Sequence, residues 1–330
     1  MPLRAGLVGL GSMGRNHLRL LREIELVDLV AVCDPAGDPS NLSGDVPVVG
    51  DVDALLRYGL DLCVVAAPTA VHEPIAESLA NAGVATLIEK PLAADVATAQ
   101  RILERFSEQG VVGAVGHVER FNPALRELRR RLEDGQLGEV YQVVTRRQGP
   151  FPVRVTDVGV VFDLASHDLD LTSWVAERRY VRVSAQMAHR SGRKHEDLVA
   201  VVGTLEGRLV TNHLVNWLTP FKERVTIVTG EQGCFVADTL AADLSFHRNG
   251  SIRSEWDAMA VFRGVTEGDT VRYAIAKPEP LRSELLGFVA AVRGVDGAEV
   301  VTLEEGLHVV RVAEATLRSA ATSEVVAIPR

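Results

Sequence analysis

The chain has 330 residues, 47% of them apolar and 24% charged. That is an ordinary globular balance, with length for roughly two domains of about 150 residues and a sizeable core. A net charge of −9 argues against a nucleic acid or an anionic membrane as the main partner, since both require a basic patch, although a phosphate ligand needs only a few local cations and backbone amides. Cys33, Cys63 and Cys234 lack paired spacing, so they read as reduced thiols of a cytoplasmic protein, and no metal is expected. The chain opens on a strand pattern that leaves no room for a signal peptide. No apolar run reaches about 18 residues, so no membrane span is expected.

In chain order, Leu3–Val8 reads as a strand ending in glycine, and Met13, His17, Leu20, Leu21 and Ile24 recur at helical spacing. Strands follow at Val27–Cys33, Asp61–Ala67, Val84–Ile88 and Val111–Val115. Helices are expected over 70–82, stopped by Gly83, and from Asp95 to Gln109, stopped by Gly110. Such alternation implies a doubly wound parallel sheet. Beyond about residue 122 the texture changes. Leu125, Leu128 and Leu132 mark a helix, Val140–Arg147 a strand, and Phe162–Val175 a helix. Val181–Tyr273 is mostly strands, with turn signals at Glu206-Gly207, Glu231-Gln232-Gly233 and Asn249-Gly250. Leu281–Arg293 and Leu303–Ser319, the latter after Thr302 as a cap candidate, read as closing helices. The expected fold is α/β: an N-terminal Rossmann domain over 1–121 with a doubly wound parallel sheet, and a C-terminal α/β domain over 122–330 with a large open, mostly antiparallel sheet. The closing helices are free to pack back on the first domain.

Gly9-Leu10-Gly11-Ser12-Met13-Gly14 fits G-x-G-x-x-G after a strand and before a helix, the context a dinucleotide site requires. Gly9, Gly11, Ser12, Met13 and Gly14 are thus candidates to hold a pyrophosphate at the helix N-terminus. An acid is expected about 20 residues on, and Asp34 lies 34 − 14 = 20 residues after Gly14. Pro35-Ala36-Gly37-Asp38 offers no cation to a 2′-phosphate, so NAD is expected over NADP. Two clusters carry candidate chemistry. Lys90, in Glu89-Lys90-Pro91 at a strand end, can stabilise developing alkoxide charge, or is simply a solvated lysine. Asp163 and His167, four residues apart, share one face of an expected α-helix, which suits general acid–base work or makes an ordinary ion pair.

Together these motifs resemble the Gfo/Idh/MocA oxidoreductases, a family that includes glucose–fructose oxidoreductase and inositol 2-dehydrogenase. The marks are the Gly9–Gly14 turn, Pro68-Thr69 with His72, Glu89-Lys90-Pro91, and Asp163 with His167. The resemblance implies catalysis by Lys90, Asp163 and His167. It implies a cofactor site that includes Pro68, Thr69, His72, Glu89 and Lys90, and a homodimer or homotetramer built partly through the second sheet. A narrower resemblance lies in 116–123, 146–152 and Asp157–Val161. It is to the branch acting on nucleotide-activated amino sugars, typified by UDP-N-acetylglucosamine 3-dehydrogenase. This implies substrate contacts from His117, Arg120, Arg147, Phe151, Asp163 and His167. Arg147 beside the Gly-Pro-Phe-Pro loop would bind diphosphate and Phe151 would pack on a base or sugar, the alternative being that Arg146 and Arg147 form a solvated strand edge. The leading expectation is oxidation of C3 of a UDP-N-acetylhexosamine. The alternatives are a dehydrogenase of a free polyol such as inositol, or a catalytically silent cofactor-bound regulator.

Overall fold

The structure, a computed structural model, describes residues 1–152, 158–250 and 266–329. Asp157, and positions 251–265 of the expected strand region, lie outside them. The chain forms two compact units, Met1–Val118 with Leu281–Arg311, and Glu119–Pro280 with Val312–Arg330.

In the first unit β1 (Leu3–Val8), β2 (Val27–Cys33), β3 (Val48–Val49), β4 (Leu62–Val65), β5 (Ala85–Glu89) and β6 (Gly113–Gly116) form a parallel sheet in the order β3-β2-β1-β4-β5-β6. The helices are α1 (Ser12–Glu23), α2 (Val52–Leu56), α3 (His72–Asn81) and α4 (Val96–Gln109), with α7 (Pro280–Val292) added from the far end of the chain. Leu62, Cys63, Val64 and Val65 are all fully buried, because helices cover both faces of such a sheet and its strands need no polar side. Leu20, Leu21 and Ile24 of the α1 segment pack with Leu285 and Phe288 of α7 against Leu7 and Val64. Leu55 and Leu79 pack against Cys63 and Val65 on the opposite face. Local signals set the helix ends. Asp95 Oδ1 accepts from Thr98 N at 2.8 Å, and Gly110 takes φ 62° as the left-handed C-cap. The strand order reverses between β1 and β4, and ligands of such sheets bind beyond the carboxyl ends at that point.

The second unit holds α5 (Pro123–Glu133), β7 (Val140–Pro150), a π-helical turn at Val161–Ala165, α6 (Ser166–Ala176) and β8 (Tyr180–Ala188). Then come β9 (Leu198–Leu205), β10 (Val210–Asn216), β11 (Leu218–Gly230), β12 (Gly233–Asp238), β13 (Asp243–Gly250), β14 (Thr266–Arg272) and, near the chain end, β15 (Val326–Ala327). Among the described residues the strands form one sheet, ordered β14-β13-β12-β11-β7-β10-β9-β8-β15. Every neighbouring pair is antiparallel except β7 with β10. Helix α6 packs on β7 and α5 on β12 and β13. Helix α8 (Leu303–Thr322) runs from the first unit into the second. It starts on a capping box, in which Glu305 N donates to Thr302 Oγ1 at 3.2 Å and Thr302 N to Glu305 Oε2 at 2.8 Å.

Three local expectations change. The helix expected from residue 70 opens as a 3₁₀ turn, Thr69–Val71, before α3. Asn249-Gly250 is the end of β13, since that strand stays paired with β14 through Gly250. The helix expected from Phe162 starts as a π turn, for the reason given below. Among the described residues no helix is long and apolar enough to cross a membrane.

Candidate active site

The first unit supplies a dinucleotide cradle. Gly9 takes φ 97°, and a Cβ on it would stand 2.5 Å from Ala66 O. A Cβ on Gly14 would meet Gly9 O. Both glycines are therefore fixed by packing of the turn against β4 and against itself. Gly11 differs, because nothing lies within 4 Å of its would-be Cβ and no side chain caps the helix it starts. The first-turn N–H groups of Ser12, Met13 and Gly14 point from an uncapped N-terminus beside open space, which is the geometry a pyrophosphate fits. Asp34 joins this turn directly: its Oδ2 accepts from Leu10 N at 2.8 Å and its Oδ1 from Ala36 N at 2.9 Å. Each oxygen keeps a further lone pair for a ribose hydroxyl. Asp38 is held by Ser43 N at 2.7 Å and Ser43 Oγ at 2.8 Å, and those bonds keep it ionised, below the ordinary carboxylate value. Two acids and no cation thus follow β2.

Pro68 is exposed and Thr69 half-buried in the turn after β4. His72 is buried, with Nε2 3.0 Å from Ala67 O and Nδ1 3.2 Å from Leu92 O. Burial pushes its pKa down, so the neutral ring has one proton for two carbonyls. It ties the end of β4 to the segment after Pro91, and its contacts are with backbone. Lys90 is half-buried at the end of β5, with its backbone N donating to Glu89 Oε2 at 3.2 Å. Glu89 is itself buried and accepts from His17 Nε2 at 2.7 Å. The sequence reading counted His17 only as a position on the core-facing stripe of α1. A histidine inside an apolar stripe needs a buried partner, and that was the available signal. His117, at the end of this unit, is also buried.

In the second unit the starting point is Gly159, where any Cβ would overlap the Glu196 carboxylate. Glu196 accepts from Val161 N through Oε1, and its backbone O accepts from Val160 N, both at 3.0 Å. These contacts impose the π turn Val161–Ala165 just ahead of α6. Asp163 thus lies within the π turn and His167 in the first turn of α6, so the pair spans a junction rather than one regular α-helix. Single π turns of this kind recur at functional sites. Asp163 is buried and His167 half-buried.

Beneath them lies a buried charge cluster. Arg147 Nε donates to both oxygens of Asp168 at 3.1 Å, and its Nη1 to Glu119 Oε1 at 2.9 Å. Burial pushes Asp168 up to about 6, against the pull of Arg147. Arg120 grips Asp170 through Nε at 2.9 Å and Nη2 at 2.6 Å. The resemblance implies substrate contacts from Arg120 and Arg147, and the structure buries both guanidinium groups against α6. Arg146, on the other face of β7, is exposed and pairs with Glu223 at 3.0 Å. One face of Phe151 is covered by Arg193, 3.7 Å from the ring centroid, and Trp217 packs edge-on at 5.2 Å. A base or sugar would have to displace Arg193 to stack there.

A doubly wound sheet with a glycine turn at its switch point and an acid ending β2 defines a dinucleotide-binding protein with an appended sheet domain. Residues 3–117 match the Gfo/Idh/MocA oxidoreductase family, NAD-binding Rossmann fold, and residues 125–236 match the Gfo/Idh/MocA C-terminal domain. The chain belongs to the Gfo/Idh/MocA family, and its first unit is the family's NAD-binding domain. It is 34% identical over 183 residues to a myo-inositol dehydrogenase of Streptomyces leeuwenhoekii, covering 54% of this chain and 56% of that protein. It is 33% identical over 173 residues to the UDP-N-acetylglucosamine 3-dehydrogenase of Acidithiobacillus ferrooxidans, covering 52% and 53%. The chain thus aligns with about half the length of these relatives. A solved structure of UDP-N-acetylglucosamine 3-dehydrogenase from Acidithiobacillus ferrooxidans shares the fold at TM-score 0.83 and 24% identity, covering 98% of this chain and 99% of that one.

Proposed function

We propose that the protein is a NAD-dependent dehydrogenase of a sugar hydroxyl, and that it oxidises C3 of a UDP-linked N-acetylhexosamine to a ketone. The observation that carries the reaction class is the presence of Lys90, Asp163 and His167 on the two family domains of one chain. Bound NAD supplies the hydride acceptor. On this reading the protein does three things. His167 takes the hydroxyl proton, Lys90 hydrogen-bonds the hydroxyl oxygen and stabilises its developing charge, and Asp163 orients the substrate. The buried clamps on Asp168 and Asp170 support this, because a general base must be held within hydrogen-bond reach of the proton it abstracts.

The nucleotide-sugar substrate draws support from the 146–152 segment and from the 33% identity to a UDP-N-acetylglucosamine 3-dehydrogenase. A second reading, oxidation of a free polyol, draws support from the 34% identity to a myo-inositol dehydrogenase. A cytoplasmic homodimer or homotetramer completes the proposal. Tyr141, Val181, Val202 and Val210, exposed on strands of the second sheet, are the apolar surface such an assembly would bury. The test is a panel of UDP-N-acetylglucosamine, UDP-N-acetylgalactosamine, myo-inositol and glucose, each with NAD, followed by the absorbance of reduced nicotinamide. Turnover confined to inositol or glucose replaces the first reading with the second, and no turnover on a broad panel favours a silent regulator.

A further inference from the structure

We propose that Arg224 binds an oxyanion carried by the sugar substrate, the contact that sequence alone assigned to Arg147. The inference rests on the dehydrogenase reading, since it names the residue that meets that substrate's charged group.

The register places Arg224 first. On the antiparallel β7–β11 pair it lies directly opposite Arg147, and directly opposed residues project to the same face. Arg147 is on the face covered by α6, so Arg224 is too. There it lies within electrostatic reach of Arg147, Asp168, Glu119 and Asp163. The two arginines differ in commitment. Arg147 is buried and spends its guanidinium on Asp168 and Glu119. Arg224 is half-buried, and Nη1 alone is engaged, donating to Gln148 O at 2.6 Å and Glu223 O at 2.8 Å. Among the described residues these are its hydrogen bonds. A guanidinium has five N–H donors, so Nε and Nη2 remain to meet a ligand as a fork while Nη1 fixes its plane.

The surroundings suit such a ligand. The chain at Gly149 passes both side chains, since a Cβ there would stand 3.9 Å from Arg224 Nη1 and 3.4 Å from Lys222 Cγ. Lys222 is exposed, and its stem runs beside Gly149. Glu119 Oε2 is buried and accepts no hydrogen bond among the described residues, which suits a hydroxyl of the same ligand. Burial and the like charge of Arg147 both press on Arg224 and hold its pKa below the ordinary arginine value. A bound oxyanion would offset both. The oxyanion is either a phosphoryl oxygen of the diphosphate or a carboxylate on the sugar ring, which Arg recognises with the same planar fork.

The experiment uses the full chain with saturating NAD and two variants, Arg224→Gln and Arg224→Lys. The substrates are UDP-N-acetylglucosamine, the same nucleotide sugar carrying a C6 carboxylate, and free N-acetylglucosamine. Losing a charge-assisted fork should raise KM for the charged substrate by about 10- to 100-fold in Arg224→Gln. KM for NAD should stay within about two-fold, and Arg224→Lys, a point charge without the fork, should fall in between. An equal rise for both nucleotide sugars assigns the diphosphate, and a rise confined to the acidic sugar assigns the carboxylate. KM unchanged for both nucleotide sugars, at least one of them turned over by the unmodified protein, overturns the role of Arg224 and leaves the dehydrogenase reading intact. An equal loss of kcat on charged and free sugars also overturns it, as a folding effect. Turnover restricted to uncharged free sugars overturns the nucleotide-sugar reading and the inference with it, and leaves a dehydrogenase of free sugars.

Discussion

Two alanines in one glycine turn should fail in different ways. At Gly14 a Cβ would stand 2.0 Å from Gly9 O, and ordinary contact begins at 3.4 Å. One backbone must therefore move by 3.4 − 2.0 = 1.4 Å. Overpacking of this kind costs about 1–3 kcal/mol, and for a unit of this size each kcal/mol lowers the midpoint by about 2–4 °C. Gly14→Ala should unfold several degrees early with or without cofactor. At Gly11 nothing stands within 4 Å, and its φ of −66° is open to alanine, so Gly11→Ala should melt like the unmodified chain when no cofactor is added. Its methyl would occupy the approach of the pyrophosphate. Loss of one or two charge-assisted hydrogen bonds, about 3 kcal/mol, weakens binding by about 100-fold. With NAD at 100 times the original Kd, stabilisation of about 2.7 kcal/mol should collapse to about 0.4 kcal/mol. Thermal unfolding followed with and without NAD reads both numbers at once. A Gly11→Ala protein that keeps the full NAD-dependent rise in Tm would refute the assignment of that open space to the cofactor.

Three further outcomes are expected. Asp34→Ala should weaken NAD and narrow its advantage over NADP, because the variant loses a ribose acceptor and a group that repels a 2′-phosphate; tighter binding of NADP than NAD by the unmodified protein, measured by titration calorimetry, would count against it. His167→Ala should lower kcat by about 100-fold or more, as for a lost general base, with NAD affinity nearly unchanged; normal turnover would remove His167 from the mechanism. Asp168 sits near 6 in the folded protein against an ordinary 3.8, so between about pH 4 and 6 the native state binds a proton that the unfolded chain does not. The stability this group contributes is present below about pH 4 and lost as pH rises through 6. In Asp168→Asn that slope should vanish from a plot of Tm against pH, and an unchanged slope would assign it to other groups.

Most of the first unit could be read from sequence because its signals are local. The Gly9–Gly14 turn, Asp34 at the end of β2, the Asp95 and Gly110 caps and the Thr302–Glu305 box each lie within a short stretch of chain. What could not be read depends on partners distant in sequence. His17 meets Glu89 across 72 positions, so neither local pattern announces the pair. β10 runs parallel to β7, with His213 beside Thr145, a pairing that no hairpin signal announces. The π turn before α6 follows from Glu196 reaching back to Val161 and from Gly159 having no side chain to block it, so periodicity alone returns an α-helix there. The partners of Arg147 are hidden from sequence for the same reason. An arginine next to a Gly-Pro loop looks available until Asp168 and Glu119 are known to close on it.

The clamps on α6 make more sense as geometry than as stability. Its buried residues include Asp168, Leu169, Asp170, Leu171 and Thr172, so it is buried around much of its circumference and burial alone selects no single rotation about its axis. Buried ion pairs add little net stability over apolar residues of the same volume. Their value here lies in where they attach. Asp168 and Asp170 are two residues apart, roughly 200° around a helix, and each is gripped from a different element: Arg147 on β7 and Arg120 in the turn that opens the unit. Arg120 holds Asp170 as a two-nitrogen fork, and Arg147 shares its Nε between both oxygens of Asp168, so two buried contacts on nearly opposite sides fix both the rotation and the height of the helix. The π turn then starts from a fixed frame, and the directions of Asp163 and His167 follow from it. The same logic explains why arginines that sequence offers to substrate are instead buried. The unit uses Arg120 and Arg147 to hold α6, the helix that carries His167, and Arg224, one strand over, keeps its Nε and Nη2 donors.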